Sequence, residues 1–445
     1  MSTARSSAVV IGAGIAGLTS ARVLAERFER VTVLDRDLLP DAGVPRRGVP
    51  QGHHPHTLLL AGQRALEGLF PGLREELVGA GAVVFDTGGD LAYYRGGEPW
   101  PALPIGLETI NVTRPRLEYA IRRRVAAMTS VTIRDGVAIA GLTGDDSRIT
   151  GVTLDDGDVL PADLVVDCSG RGTRSDRWLG SLGFPTPHVA EVKIGVGYAT
   201  RLARRTPGDL AEGAALLVLP VPPGERRSGL ALPVEGDRWL ISGGGWHGDY
   251  PAADDAALRR HLRSLPHGGI ADLYDRAEPL DEVRTAAFPS SRRRYFERLR
   301  RLPAGYLAAG DAMCSFNPVY GQGMTCAALE ATVLGQVLDD HPGASPEMAR
   351  AYYRAAARIL TTPWRFAVGA DFRFPGTTGP KVRGTDALNG YSHRIWMAAL
   401  TSTEVRRTLL AVQHLVSPPS ALFAPAMVAR VLREPRRARR AAGRP

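Results

Sequence analysis

The stretch "SAVVIGAGIAGLTSARVLAERF" (7–28) constrains this chain more than any other. A short apolar run leads through glycines into a helix on which Ile15, Leu18, Ala21, Leu24 and Phe28 recur every three or four residues. Gly12, Gly14 and Gly17 make the pattern GxGxxG. The first permits a tight turn, the second lets a pyrophosphate approach the backbone, and the third lets the helix lie against the strand. The helix start then offers free N–H groups and a partial positive charge to phosphates. Context decides, because "GGGWHG" (243–248) fits the same pattern. There the helix-like "AADDAALRRHL" begins several residues too late, so a strand-end loop is expected. The first match instead leads into "RVTVLDRD" (30–37), a second strand ending at Asp35, eighteen residues beyond Gly17. A carboxylate at that place accepts hydrogen bonds from an adenosine ribose, with Arg36 beside it as a further contact.

At 445 residues the chain exceeds one ordinary domain. Its apolar fraction of 44% and charged fraction of 23% are those of a globular protein. Two lysines stand against 53 arginines, which reads as coding bias. Of the net charge of +9, five charges fall in the thirteen residues "REPRRARRAAGRP" (433–445), expected to be a disordered, solvated tail. The body has no basic stripe interleaved with aromatics, which excludes nucleic acid as a partner. Three cysteines, Cys168, Cys314 and Cys326, make neither a disulfide framework nor a CxxC pair. No segment reaches the length of a membrane-spanning helix. These features point to a cytoplasmic protein without an integral membrane segment.

After the second strand, further βα units would indicate an NAD domain. Instead a Pro/Gly/His loop, "AGVPRRGVPQGHHPH" (42–56), feeds a helix. His53, His54 and His56 lack the carboxylates or thiols that would complete a metal set, so no metal is expected and a polar loop over the cofactor is the reading. "TRPRLEYAIRRRVAA" (113–127) is helical, with Arg114 at its start. Residues 131–170 have the rhythm of a β-meander returning to the strand "ADLVVDCSG".

A second glycine-rich turn, "GDAMCSFNPVYGQGM" (310–324), enters an apolar helix. With GxGxxG and "DCSGRGTR" (167–174) it makes the chain resemble the FAD-dependent monooxygenases of the para-hydroxybenzoate hydroxylase type over residues 8–345. "RRGVPQGHHPH", "VGYATRL" and "FNPVYGQGM" are similar to the bacterial flavin epoxidases of polyether pathways and, more distantly, to squalene epoxidase. The resemblance implies an FAD-binding Rossmann-type (GR2-like) α/β domain with an interposed β-meander, formed by residues 1–80, 105–185 and 285–345. It further implies an antiparallel β-sheet substrate domain from 81–104 and 186–284, and a helical C-terminal region at 346–432.

By the same resemblance Asp311, after Gly310, hydrogen-bonds the ribityl chain of FAD. Gly321, Gly323 and Met324 start a helix whose N–H groups face the flavin N1/O2 edge, and Pro318 breaks the structure before it. Arg47 and Arg114 contact flavin, pyrophosphate or ribityl, Val137 meets the adenine through its backbone, and Asp167 belongs to the middle motif. That motif departs from the hydroxylases' D-G-x-x-S-x-x-R, with Cys168 for glycine and Arg171 for serine. Electrons from NAD(P)H therefore arrive directly or through a separate flavin reductase.

Residues 186–290 are strand-rich, and in such enzymes this sheet forms one wall of the substrate pocket. Tyr198, Trp246, His247, Phe316 and Trp364 are the candidate substrate contacts. The implied chemistry is the flavin's: a C4a-hydroperoxide inserts one oxygen atom of O₂ into a small hydrophobic substrate. Alkene epoxidation of a polyene or polyketide in antibiotic or other secondary metabolism is the first reading, and hydroxylation of an electron-rich ring the second. No side chain need act as a nucleophile. Halogenases use a lysine in the first third of the chain and a W-x-W-x-I-P element, and neither occurs here. A flavin-dependent reductase or dehydrogenase of the geranylgeranyl reductase type is the alternative.

Overall fold

In the computed structural model the described residues are 6–210 and 213–442, with side chains described as far as Arg433. The basic tail expected to be disordered at 433–445 continues the helix Pro425–Ala442 as far as Ala442, and its last three residues lie outside the described residues.

Five parallel strands form the first layer, in the order Tyr306–Ala308, Leu164–Asp167, Ser7–Ile11, Arg30–Leu34 and Val131–Arg134. Val9, Val10, Val33, Leu164, Val165 and Val166 are almost wholly buried, the continuous apolar character of strands covered on both faces. The helices Ile15–Leu24, Arg114–Ala126 and Gly323–Asp340 enclose this core. The meander consists of Ile139–Gly144, Ile149–Leu154 and Val159–Pro161, all antiparallel.

A second sheet of eight strands is antiparallel except where Ala215–Leu219 runs parallel to Leu91–Arg95. Its central strand, Val189–Arg204, pairs with Arg238–Gly245 on one side and Arg284–Arg294 on the other. The latter strand, and Cys314–Ser315 beyond it, carry this sheet past the boundary expected at residue 284. The sixteen residues of Val189–Arg204 offer a ladder that the next long extended segment completes. Helices Asp255–Arg263 and Gly269–Arg276 cover one face of the sheet. Asp254 caps the first of them, accepting a hydrogen bond from Ala257 N at 2.7 Å.

The C-terminal helices are Pro346–Asp371, Thr385–Ala398, Thr403–Gln413 and Pro425–Ala442. Ser345 caps the longest through Met348 N, with Pro346 in its first turn. No helix among the described residues is long and apolar enough to cross a membrane.

Candidate active site

A cavity of about 510 Å³ runs from the end of Ser7–Ile11 to the face of the eight-stranded sheet opposite the helices Asp255–Arg263 and Gly269–Arg276. At its first end Gly12 has φ +102°, the left-handed region that glycine alone adopts without strain. Its N–H donates to Leu34 O at 2.7 Å. Gly14 opens the helix Ile15–Leu24 with no side chain capping it, so the first N–H groups face the cavity. A Cβ on Gly14 would lie 3.9 Å from Arg46 Nη2 and 4.0 Å from Arg114 Nη2. Two guanidinium groups thus converge on a helix N-terminus, a donor set suited to a pyrophosphate. Gly17 does not line the cavity. A Cβ there would stand 1.7 Å from Gly12 O, so this glycine serves the packing of helix on strand.

Asp35 lines the cavity, but its oxygens already hold the turn. Oδ2 accepts from Ala13 N at 2.7 Å, and Oδ1 accepts from Asp37 N at 2.9 Å and Arg46 Nη1 at 3.2 Å. Arg36 and Val137 also line it, and Val137 donates its N–H to Asp35 O at 2.8 Å. Arg47 is a correction. It is exposed and outside the cavity, and the neighbouring Arg46 takes the inward place, bound to Asp35, Asp37 and Glu118.

Asp167 is a second correction. Wholly buried, it lies outside the cavity and ties the following turn together. Oδ1 accepts from Ser169 N and Oγ, and Oδ2 from Thr173 Oγ1 and Tyr306 OH. Of the motif's residues Cys168, Ser169, Gly170, Gly172 and Arg174 line the cavity, and so does Arg171. Its guanidinium lies over the Phe288 ring, 4.6 Å from the centroid, and donates to Ser290 O, Ser290 Oγ and Ser315 Oγ.

At the far turn, Gly310, Asp311, Pro318, Gly321, Gly323 and Met324 all line the cavity. Gly310 N donates to the buried Glu330 Oε2 at 2.6 Å. Burial pushes the Glu330 carboxyl up to about 8, Gly310 N–H opposing and Asp311 reinforcing the shift. Among the described residues none donates a hydrogen bond to the Asp311 carboxylate. Burial raises it, while Arg114 and Arg171 counter that effect. Asn317 Oδ1 accepts from Val319 N at 3.1 Å, and the short 3₁₀ turn Pro318–Tyr320 ends at Gly321, φ +65°. The helix therefore starts at Gly323, two residues later than the glycine pattern suggests, and its first N–H groups carry no side-chain cap. Gln322 Oε1, just before it, is buried without a partner. An unpaired carboxylate, an orphaned amide oxygen and two uncapped helix starts are groups that a dinucleotide with a polyol linker would satisfy. The residues fit FAD.

On the sheet side Tyr198 and Phe316 line the cavity, whereas Trp246, His247 and Trp364 do not. Trp246 follows the end of Arg238–Gly245, donates Nε1–H to Asp371 Oδ1 at 3.2 Å and stacks on Phe374 at 4.3 Å. His247 hydrogen-bonds Thr377 Oγ1 at 3.1 Å through Nε2. Trp364 is buried in the core around Pro346–Asp371. In their place stand Leu217, Leu219, Ser228, Leu230, Ser242 and Gly244. Alternation along "ALLVL" carried that signal: Leu217 and Leu219 are half-buried, while Leu216 and Val218 are buried beneath the covering helices. All three cysteines are free and buried, and burial raises each thiol, so none is a nucleophile.

The tryptophan halogenase family model matches residues 116–176, which lie on the dinucleotide side of the cavity. Protein Rv3254 of Mycobacterium tuberculosis is 34% identical over 389 residues, 83% of this chain and 81% of the relative. Squalene epoxidase 4 of Arabidopsis thaliana is 22% identical, over 76% of this chain and 63% of the relative. Among solved structures, the probable FAD-dependent monooxygenase pqsL of Pseudomonas aeruginosa superposes with TM-score 0.60 at 20% identity, covering 82% of this chain and 97% of the other. The flavin-dependent brominase Bmp2 gives 0.66 at 13% identity, over 92% of each chain. The fold is that of the FAD-dependent monooxygenases, and the chain belongs to the same family as Protein Rv3254 of Mycobacterium tuberculosis.

Proposed function

We propose that this chain is an FAD-dependent monooxygenase that transfers one oxygen atom from O₂ to a neutral, hydrophobic substrate, with an alkene of a polyene or polyketide as its first target. One observation carries the reading: a single cavity joins the FAD-suited turns to a sheet wall without an ionisable side chain other than Tyr198. The likeness to Squalene epoxidase 4 supports an alkene rather than a charged aromatic. The halogenase match falls on the dinucleotide side and bears on the cofactor, and the first lysine is Lys193.

FAD, when bound, supplies the activated oxygen. The chain's own work is positioning and the exclusion of water. Arg46 and Arg114 hold the pyrophosphate between them, and Asp311 accepts from the ribityl hydroxyls. The helix start at Gly323 stabilises negative charge on the flavin edge. Phe288, Phe316 and the leucines of the sheet wall hold the substrate and keep the space above the ring apolar. Burial pushes the Tyr198 hydroxyl up to about 12, so it stays protonated and can donate to a substrate oxygen. Electrons come from NAD(P)H, directly or through a flavin reductase.

The test is turnover of candidate polyenes by purified protein with FAD and a reductant under ¹⁸O₂. The expected product carries one ¹⁸O atom per turnover. Conversion that proceeds equally well without oxygen overturns the monooxygenase reading.

A further inference from the structure

The loop "GHHPH" forms no metal cluster among the described residues, yet its hydrogen bonds fix which ring nitrogens carry protons. His56 Nδ1 lies 2.9 Å from the carbonyl oxygen of His54. A carbonyl only accepts, so Nδ1 donates, and in the neutral ring Nε2 keeps its lone pair. The ring of His54 is fixed by a longer chain of the same logic. Ser242 Oγ donates to Ala199 O at 3.1 Å, and Thr200 Oγ1 donates to Ser242 Oγ at 2.8 Å. Thr200 has then no proton left, so His54 Nδ1, 2.8 Å away, donates to it. The eight-stranded sheet thus anchors His54, and His54 anchors His56.

His56 lines the cavity with Pro55 and Thr57. Thr57 packs at the far turn, where a Cβ on Gly321 would lie 3.4 Å from Thr57 Cβ. Around this point stand the donors of the Arg114 guanidinium and the first N–H groups of the helix at Gly323. Burial, with Arg114 adding to it, pushes His56 down to about 3, so Nε2 remains an acceptor at every physiological pH. The hydroxyls and ring N–H of a flavin are donors, and His56 Nε2 adds an acceptor for them to the Asp311 carboxylate and Gln322 Oε1.

We propose that His56 is a cofactor-positioning residue whose Nε2 accepts a hydrogen bond from an O–H or N–H of the flavin cofactor. This rests on reading the cavity as an FAD site. Two substitutions separate the ring's two nitrogens. The amide of Asn reaches the place of Nδ1, and that of Gln the place of Nε2. His56→Asn keeps the bond to His54 O and loses the acceptor, and His56→Gln does the reverse. FAD titrated into apoprotein, followed by flavin fluorescence, should bind roughly tenfold more weakly to His56→Asn and within about threefold of wild type to His56→Gln. The opposite order, equal loss in both or no loss in either overturns the assignment, since the His54 bond or nothing would then carry the effect. Thermal melts of the apoproteins identify a variant that fails to fold, and equal failure of both counts as equal loss. Wild-type protein that takes up no FAD overturns this inference together with the functional reading, whereas normal wild-type uptake confines any failure to His56.

Discussion

At one end of the cavity Arg46 sits among Asp35, Asp37 and Glu118, all four side chains less than a tenth exposed. At the other end Leu217, Leu219 and Leu230 present half-buried apolar side chains beside Ser228 and Gly244. The two ends meet different demands. A dinucleotide brings fixed charges and a fixed shape, so its turn is locked by backbone approach and by paired buried ions, each needing the others. A hydrophobic substrate needs only shape and dryness, which side chains on a ready-made sheet can supply and exchange without disturbing the ladder beneath.

The sharpest way to break this contrast is Gly17→Val. A Cβ at that position collides with the Gly12 carbonyl, 1.7 Å away, and neither backbone can withdraw without opening the sheet. A loss of more than about 4 kcal/mol is expected, in the range reserved for such backbone conflicts. Urea unfolding followed by circular dichroism reads it. A variant as stable as wild type would refute the packing described for the first turn.

Next in size is Arg46→Leu, which takes the shared counter-charge from Asp35 and Asp37 and leaves Glu118 with Arg114 at 4.0 Å, and should cost about 3–5 kcal/mol. Arg47→Leu, at the exposed neighbouring residue, should stay within about 0.5 kcal/mol in the same unfolding experiment. Equal losses for the two would mean that the network around Arg46 does not carry the turn.

This pair also shows where the sequence stops being informative. The glycines of the first turn were legible because a positive φ and a close approach each admit one residue type. The paired arginines of "PRRG" were not, because an irregular loop has no period to say which side chain points inward. Trp246 and His247 follow the end of their strand and find Asp371 and Thr377, 125 and 130 residues further on. Nothing local announces such partners. Asp167 matched its motif by type, yet only the positions of Ser169, Thr173 and Tyr306 reveal that its oxygens are fully engaged. The strand-rich character of 186–290 was visible, but its reach past residue 284 depends on pairing across the chain.

Glu330 lets the contrast be read by pH. Its carboxyl, raised from 4.5 to about 8 chiefly by burial, belongs to the cofactor end, where it holds Gly310 N–H. A raised folded value means that this contribution is fully present below the unfolded value of 4.5 and is lost as pH climbs through about 8. Between those limits wild-type protein should lose stability relative to Glu330→Gln by about 1.4 kcal/mol per pH unit, levelling off above them. Urea unfolding of both proteins from pH 5 to 9 measures it. Parallel curves would show that Glu330 ionises freely in the folded state. The sheet wall offers no comparable titration, since Tyr198, pushed up to about 12, changes charge only above this range.

Leu230→Asp addresses the sheet wall itself and should disturb stability little. Leu230 is half-buried, faces the cavity and pairs through its backbone with Leu217 and Ser242, so the ladder does not depend on its side chain. Unfolding free energy should change by less than about 1 kcal/mol, and FAD affinity by less than about twofold, because the dinucleotide contacts lie at the other end. Turnover of a neutral polyene should nevertheless fall about a hundredfold in kcat/KM, which corresponds to about 2.7 kcal/mol of lost transition-state binding. The cause is a carboxylate that must either shed its water against the substrate or keep water beside the flavin, and each harms an apolar reaction space. Steady-state kinetics alongside FAD titration tells the outcomes apart. Loss of both cofactor and turnover would mean that the two ends are coupled through the sheet, and the division of labour between locked turn and exchangeable wall would fail. Loss of turnover alone places substrate recognition on the wall.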